Sequence, residues 1–220
     1  SLAGILTKSS NVGAIRVSNE LSADHQYDMY RRFGLGQRSG SAFPGELQGV
    51  LTPASSWGPT EKASISYGYG LSVTPLQLAR AYAAVGNQGR LMETIFVKGG
   101  AGEGTQVIDP AIARQLMDML ETVIGPDGTA RRAAVLGYRV AGKTGTARKA
   151  SGGGYAANRH AAVFVGLVPA SNPRFAMAVV IHEPQGLEYG GGAVAAPVFH
   201  RVMEGALRLM DVPPDDIQGW

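Results

Sequence analysis

The stretch Val140-Ala141-Gly142-Lys143-Thr144-Gly145-Thr146-Ala147-Arg148-Lys149 sets an ammonium group, two hydroxyls and a bare backbone position side by side. Together these groups suit a ligand ending in a carboxylate, with charge from the lysine, hydrogen-bond donors from the threonines and room at the glycine. Read as a β-strand, the run puts Lys143 and Gly145 on one face and Thr144 and Thr146 on the other. A twist or bulge could bring the lysine and a threonine to one ligand. The missing side chain at Gly145 would let an extended peptide lie along the strand edge. Such a wall serves acyl transfer.

The same residues fit a second pattern. Gly137-Tyr138-Arg139-Val140-Ala141-Gly142-Lys143-Thr144 has the spacing G-x-x-x-x-G-K-[ST], which cradles phosphates when a buried strand precedes it and a helix follows. Here the alanine-rich residues 129–136 predict a short helix upstream. Downstream, Ser151-Gly152-Gly153-Gly154 would break a helix, and Tyr138 and Val140 crowd the loop interior. The context argues against nucleotide binding.

Two other places carry groups that could join this strand. Ser9 and Asn11 are two positions apart, just before Val12-Gly13-Ala14-Ile15-Arg16-Val17, and could point into one cleft or simply cap a helix. Tyr69, in Tyr67-Gly68-Tyr69-Gly70, could line a site or pack its ring in a tight turn. His25, His160, His182 and His200 lack metal-ligand spacing, so they read as structural or surface residues and no metal site is expected. Paired carboxylates for glycoside chemistry are not indicated.

The elements that must position these groups follow from periodicity and turn chemistry. Residues 24–33 predict a short helix stopped by Gly34 and Gly36. Residues 37–59 form a long irregular excursion, and its Phe43, Leu47, Val50, Leu51 and Trp57 are expected to pack it onto the body. Thr74 as N-cap and Pro75 at the first helical position start a helix ending at Gly86, with Leu78, Ala81, Tyr82 and Val85 inward. Gly99-Gly100-Ala101-Gly102-Glu103-Gly104 reads as an exposed connection. Asp109-Pro110 opens a helix to about Val123 whose apolar side carries Ile112, Leu116, Met119 and Leu120, the methionines serving as core filler. Residues 161–168 and 175–181 are nearly all apolar and predict two antiparallel strands covered on both faces. A final helix spans residues 195–210 before Pro213-Pro214. The fold class is α+β: an antiparallel sheet ending in three sequential strands, flanked by helices, with a helical group inserted before them.

A chain of 220 residues can bury a sizeable core as one domain. Its formal charge is +3 with scattered arginines, which argues against a nucleic-acid partner. Without cysteine there are no disulfides and no thiolate metal sites. No stretch approaches the ~18 apolar residues that span a bilayer. Leu2-Ala3-Gly4-Ile5-Leu6 opens in an apolar segment with no leader or cap, so the chain is expected to be a piece of something longer, with any membrane anchor upstream.

Taken in order, Ser9-Ser10-Asn11, Tyr67-Gly68-Tyr69-Gly70 with Thr74-Pro75-Leu76-Gln77-Leu78-Ala79, Lys143-Thr144-Gly145-Thr146 and Gly191-Gly192-Ala193-Val194-Ala195-Ala196-Pro197-Val198-Phe199 resemble the transpeptidase domain of class B penicillin-binding proteins, most closely its division-specific members. S-x-x-K, S-D-N and K-T-G mark that family and the related β-lactamases. The resemblance runs from about Ile5 to Pro214 and implies the penicillin-binding protein/serine β-lactamase fold. It implies a serine acyl-enzyme formed on stem peptides ending in D-Ala-D-Ala during septal peptidoglycan synthesis, and acylation by β-lactam antibiotics. Carried over by position, Ser9 relays protons and Asn11 holds a substrate amide and the activating lysine. Lys143, Thr144 and Thr146 bind the terminal carboxylate or assist proton transfer, and the Thr146 N–H forms half of the oxyanion hole. No cofactor is implied. The family setting is the periplasmic face of the bacterial inner membrane, among division-complex membrane proteins.

One motif is missing. The residues three before Lys8, Lys62, Lys98, Lys143 and Lys149 are Ile5, Pro59, Ile95, Val140 and Thr146, so no Ser-x-x-Lys occurs. The chain is therefore expected to be the C-terminal part of a transpeptidase domain whose nucleophile lies upstream, and to resist labelling by a fluorescent penicillin. A non-catalytic binding module of the same fold is the main rival. A serine β-lactamase would share the motifs, but the tyrosine-glycine and Gly-Gly-Ala-Val-Ala-Ala-Pro stretches favour the transpeptidase.

Overall fold

The computed structural model describes residues 1–98, 102–151 and 154–216. Within these the chain forms two compact units, residues 10–114 and residues 1–9 with 115–220. The expected connection at Gly99-Gly100-Ala101 and the glycines at 152 and 153 lie outside the described residues.

The unit of residues 1–9 and 115–220 is built on a three-stranded antiparallel sheet, β3 (Ala141–Ser151), β4 (Gly154–Val168) and β5 (Phe175–His182), in that order. Lys143 lies opposite Val165 and Thr146 opposite Ala162, while Val163 faces Val180 on the other neighbour. Helix α7 (Ala196–Leu209) presses Ala196, Phe199, Met203 and Leu207 onto the sheet, one residue per turn on one face. The Phe164 and Phe199 rings meet edge to face at 5.0 Å and both are fully buried, each contributing about 2–3 kcal/mol by area. Gly166 makes this contact possible, because a Cβ there would fall 2.7 Å from the Phe199 ring.

Burial differs from expectation along the strands. Central β4 is buried from Phe164 to Val168, whereas edge strand β5 is half-buried over most of its length, with only Val179 fully enclosed. Residues 129–136 do not form the expected helix. They make one 3-10 turn, Arg131–Ala133, and a bridge between Val135 and Tyr138, because Ala130, Ala133 and Val135 are drawn into the core and Gly137 reverses the chain at φ +81°. Tertiary burial outweighs alanine's helix propensity here. The opening apolar segment is capped after all: Ser1 Oγ accepts the Gly4 N–H, starting α1 (Leu2–Thr7).

The unit of residues 10–114 holds α2 (Asn11–Asn19), α3 (Ala23–Arg32), α4 (Pro59–Ser66), α5 (Pro75–Gly86), a short hairpin of β1 (Arg90–Met92) and β2 (Gly104–Gln106), and the start of α6 (Pro110–Glu121). Neither α4 nor the hairpin is evident in the sequence. Helix α5 begins with a full capping box between Thr74 and Gln77. On α6 Leu120 is buried as expected, but the other buried positions are Ala113 and Met117, Leu116 and Met119 are half-buried, and Ile112 is 55% exposed.

The excursion of residues 37–58 is held only in part by its apolar side chains. Phe43, Leu47 and Val50 are exposed, although the Phe43 ring meets that of Phe96 edge-on at 5.6 Å, whereas Leu51 and Trp57 are half-buried, the latter edge-on to Tyr27. Polar groups add to this. Gln77, only 1% exposed, donates to the carbonyls of Gln37 and Gln48 at 2.8 Å each, and Glu46 accepts from the Ser39 N–H and the Ser41 hydroxyl. No helix among the described residues is long and apolar enough to cross a membrane.

Candidate active site

Helix α1 ends at Thr7 with Lys8 as its C-cap, and Ser9 then takes φ +53°, a left-handed conformation that costs a non-glycine residue about 1 kcal/mol. Neighbouring bonds fix it there. The Ser9 N–H donates to Leu6 O, the Thr7 hydroxyl pairs with that of Thr122, and Lys8 Nζ donates to Asp127 O at 2.9 Å. The strain serves to aim a hydroxyl. Lys143 Nζ, on β3, donates to Ser9 Oγ at 2.6 Å and to its neighbour's carbonyl, Thr144 O, at 3.0 Å.

Burial pushes the Lys143 ammonium down to about 8, since desolvation disfavours the charged form. At pH 7.5 about a quarter of the molecules then carry a neutral amine at this position. The lysine can therefore either neutralise an anion or exchange a proton with Ser9.

On the opposite face of β3 the two threonine hydroxyls are each tied to a second segment. Thr144 Oγ1 pairs with Thr129 Oγ1 at 2.8 Å, and Thr146 Oγ1 accepts the Gly191 N–H at 3.1 Å. No bulge falls at Lys143–Thr146, because the register is continuous from Ala141 to Arg148 and shifts only between Arg148 and Ala150. Lysine and threonines thus stay on opposite faces. Both faces border one open edge, however, since β3 pairs only with β4 among the described residues.

Gly145 is not required by the chain's own packing: a Cβ there meets nothing nearer than Val163 Cβ, at 3.5 Å. Gly191 contrasts with it, because a Cβ there would fall 2.1 Å from Val163 O. The gap at Gly145 is open to an approaching ligand backbone.

Asn11 and Tyr69 belong to the unit of residues 10–114. The cap of α2 is Ser10, whose Oγ accepts the Gly13 N–H at 3.1 Å, so capping occupies neither Ser9 nor Asn11, the first helical residue. Tyr69 sits in a turn with Gly68 at φ +97° and Gly70 at φ +77°, its ring 5.7 Å from that of Tyr67. Of the sequence candidates, Ser9 and Lys143 are joined directly, and Thr144, Gly145 and Thr146 share β3 with Lys143. Thr129 was missed, because it lies at the start of the stretch read as a helix. His160 stacks on Tyr189 at 4.2 Å and His200 contacts Ala134 O, both structural uses. Because β3 runs on past Lys143, no helix follows that lysine, and the phosphate-loop pattern has no structural counterpart.

Residues 1–204 match the family described as penicillin binding protein transpeptidase domain. The chain is 43% identical over 212 residues to the probable peptidoglycan D,D-transpeptidase PenA of Neisseria gonorrhoeae, covering 96% of this chain and 36% of that relative. It is 43% identical over 215 residues to the peptidoglycan D,D-transpeptidase FtsI of Escherichia coli strain K12, covering 97% and 37%. The solved transpeptidase domain of Burkholderia pseudomallei penicillin-binding protein 3 superposes with a TM-score of 0.91 at 42% identity, covering 98% of this chain and 66% of that one. The chain spans a little over a third of the length of these curated relatives. A lysine and a serine facing each other from distant segments beside an open strand edge, on a fold shared at this identity over almost every residue, make the chain a member of the penicillin-binding protein transpeptidase family.

Proposed function

We propose that the chain forms the carboxylate-binding wall of a peptidoglycan D,D-transpeptidase. In that reaction a serine Oγ attacks the penultimate carbonyl of a stem peptide ending in D-Ala-D-Ala. An ester forms, the amide bond breaks and the terminal D-Ala leaves with a proton on its nitrogen; an amine from a neighbouring strand then displaces the serine to make the cross-link. The observation that carries this reading is the 2.6 Å contact between Lys143 Nζ and Ser9 Oγ at the open edge of β3. Ser9 and Lys143 exchange the proton, Asn11 holds a substrate amide, and Thr144 and Thr146 bind the terminal carboxylate. The Thr146 N–H supplies half of the oxyanion hole, Gly145 admits the peptide and Tyr69 lines its path. β-Lactams, as carboxylate-bearing acyl donors, take the same place. The reading carries with it septal cell-wall synthesis, division-complex membrane partners and the periplasmic face of the inner membrane. Identity to proteins named D,D-transpeptidases supports it.

A rival reading is a non-catalytic binding module of the same fold. Labelling with a fluorescent penicillin separates the two. The 220-residue chain is expected to stay unlabelled, and the product of the coding region extended upstream to be labelled, with the label lost in Lys143→Ala. An unlabelled extended product would favour the binding module, and covalent labelling of the 220-residue chain itself would show a nucleophile outside this scheme.

A further inference from the structure

Arg132 makes three bonds around the site without touching β3. Its Nη1 and Nη2 donate to the two carboxylate oxygens of Glu188 at 2.8 and 3.2 Å, and Nη1 also donates to Ala193 O at 3.0 Å. Arg132 lies three residues after Thr129, while Glu188 and Ala193 bracket Gly190-Gly191-Gly192. The Gly191 N–H donates to Thr146 Oγ1, and Gly192 is so close to Thr129 O that a Cβ there would fall 2.0 Å from it. One guanidinium thus bridges the two segments whose other ends touch the hydroxyl face of β3.

We infer that the Arg132–Glu188 pair is a positioning latch for ligand recognition, holding residues 188–193 over β3 so that the Gly191 N–H keeps the Thr146 oxygen occupied. A threonine hydroxyl has one proton to donate and two lone pairs to accept with. With Gly191 on a lone pair, the Thr146 proton is left for a carboxylate. The Thr129/Thr144 pair works alike, since one of its two protons is spent within the pair and the other remains. Two outward O–H donors then match the two oxygens of a carboxylate. When the latch opens, the Gly191 amide drifts off and the Thr146 hydroxyl turns freely.

The pair is more than half exposed, and such ion pairs contribute little to stability. The latch therefore sets position rather than folding. This inference rests on the carboxylate-binding reading, and its test is arranged so that the two can fail separately.

The first measurement needs no ligand: hydrogen exchange of the Gly191 amide by NMR in the full chain, for wild type, Arg132→Gln, Glu188→Gln and the swap Arg132→Glu/Glu188→Arg. Each single variant is expected to speed Gly191 exchange about threefold, as befits an exposed pair, with amides of β4 and β5 unchanged. The swap should recover most of the protection. Unchanged Gly191 exchange, or faster exchange throughout the sheet, would overturn the latch. The second measurement titrates N-acetyl-D-Ala-D-Ala and follows the Thr146 amide. Affinity is expected to fall about threefold in each single variant and to return in the swap, at constant Tm. Equal affinity in all four proteins would overturn the positioning role. A wild type that ignores the peptide would sink the carboxylate reading instead, leaving the latch to be judged by exchange.

Discussion

Lys143 and Ser9 are 134 positions apart in sequence and 2.6 Å apart in space, with the lysine donating to a serine held at φ +53°. The contact joins the end of a six-residue helix to an edge strand. Neither element alone would hold the geometry. Helix α1 is too short to be stable by itself and is fastened by Ser1, Thr7, Lys8 and the packing of Leu6 on the core.

Replacing Ser9 separates the hydroxyl from the backbone strain. Ser9→Ala loses the acceptor for Lys143 and keeps the left-handed backbone, so it should lower stability by about 1–2 kcal/mol. Ser9→Gly loses the same acceptor but adopts φ +53° without steric cost, so it should be more stable than Ser9→Ala by about 1 kcal/mol. Urea unfolding of the two variants against wild type measures both differences. A Ser9→Gly variant less stable than Ser9→Ala would mean that the conformation at Ser9 is not strained.

Lys143 makes stability depend on alkaline pH. Its folded-state value, about 8, lies below the ordinary 10.5, so between these the unfolded chain binds more protons than the folded one. Stability owed to this group therefore rises as pH goes from 8 to 10.5, as the penalty of burying a charge is relieved. Lys143→Met should flatten that rise. Thermal melts at half-unit steps across the window give the slope, and direct NMR titration of the Lys143 side chain should show a midpoint near 8.

The candidate residues differ in how far the sequence discloses them. Ser9 and the 143–146 run stand out because their side-chain types and spacing are visible in short motifs. The two apolar strands and α7 are legible in position, although β5 is only half-buried where its apolar run predicts cover on both faces. Thr129 is not, because its hydroxyl reaches Thr144 only when residues 131–133 form a 3-10 turn, and local alanine content argues for a helix there. The excursion at 37–58 misleads in a different way. Its apolar residues suggest burial, but much of the anchoring falls to Gln77, a polar residue outside the inward set Leu78, Ala81, Tyr82 and Val85 predicted for its helix.

Gln77 can be tested by charge. Its amide faces three carbonyl oxygens, those of Gly34, Gln37 and Gln48, and its own oxygen accepts the Thr74 N–H. Gln77→Glu would turn an oxygen toward those carbonyls in a buried place, costing about 2–4 kcal/mol and exceeding the loss in Gln77→Met. Limited proteolysis should then cut within residues 37–50 well before the rest of the chain. Equal protection in wild type and Gln77→Glu would show that the excursion is held by other contacts.

The hydroxyl pair on β3 predicts a split between stability and recognition. Thr129→Val removes one of two paired hydroxyls and should cost only about 1 kcal/mol of stability, because Thr144 borders the open strand edge and can turn to water. Binding of a carboxylate-ended peptide should fall about tenfold in the same variant, since the remaining hydroxyl loses its orientation. Thr144→Val should match it, and the double variant should be no weaker than either single one. Additive losses in the double variant would show that the two hydroxyls act on a ligand independently.

Glu183 is the acid-sensitive fastening of the β3–β4 hairpin. One carboxylate oxygen receives both Lys149 Nζ at 2.7 Å and Arg159 Nη2 at 2.8 Å, tying β3 and β4 to the end of β5. These donors, Arg159 first, hold the carboxyl at about 2, below the ordinary 4.5. A depressed acid contributes stability above its unfolded value and loses it as the pH falls toward its folded one, so the fastening is intact above 4.5 and gone near 2. Glu183→Gln should therefore melt below wild type at neutral pH, with the gap closing across that acid window. The gap should also shrink in high salt, because all three side chains reach solvent. A Tm difference that stays constant from neutral to acid pH would mean that the glutamate acts through its shape and backbone, and that the two cations do not depend on its charge.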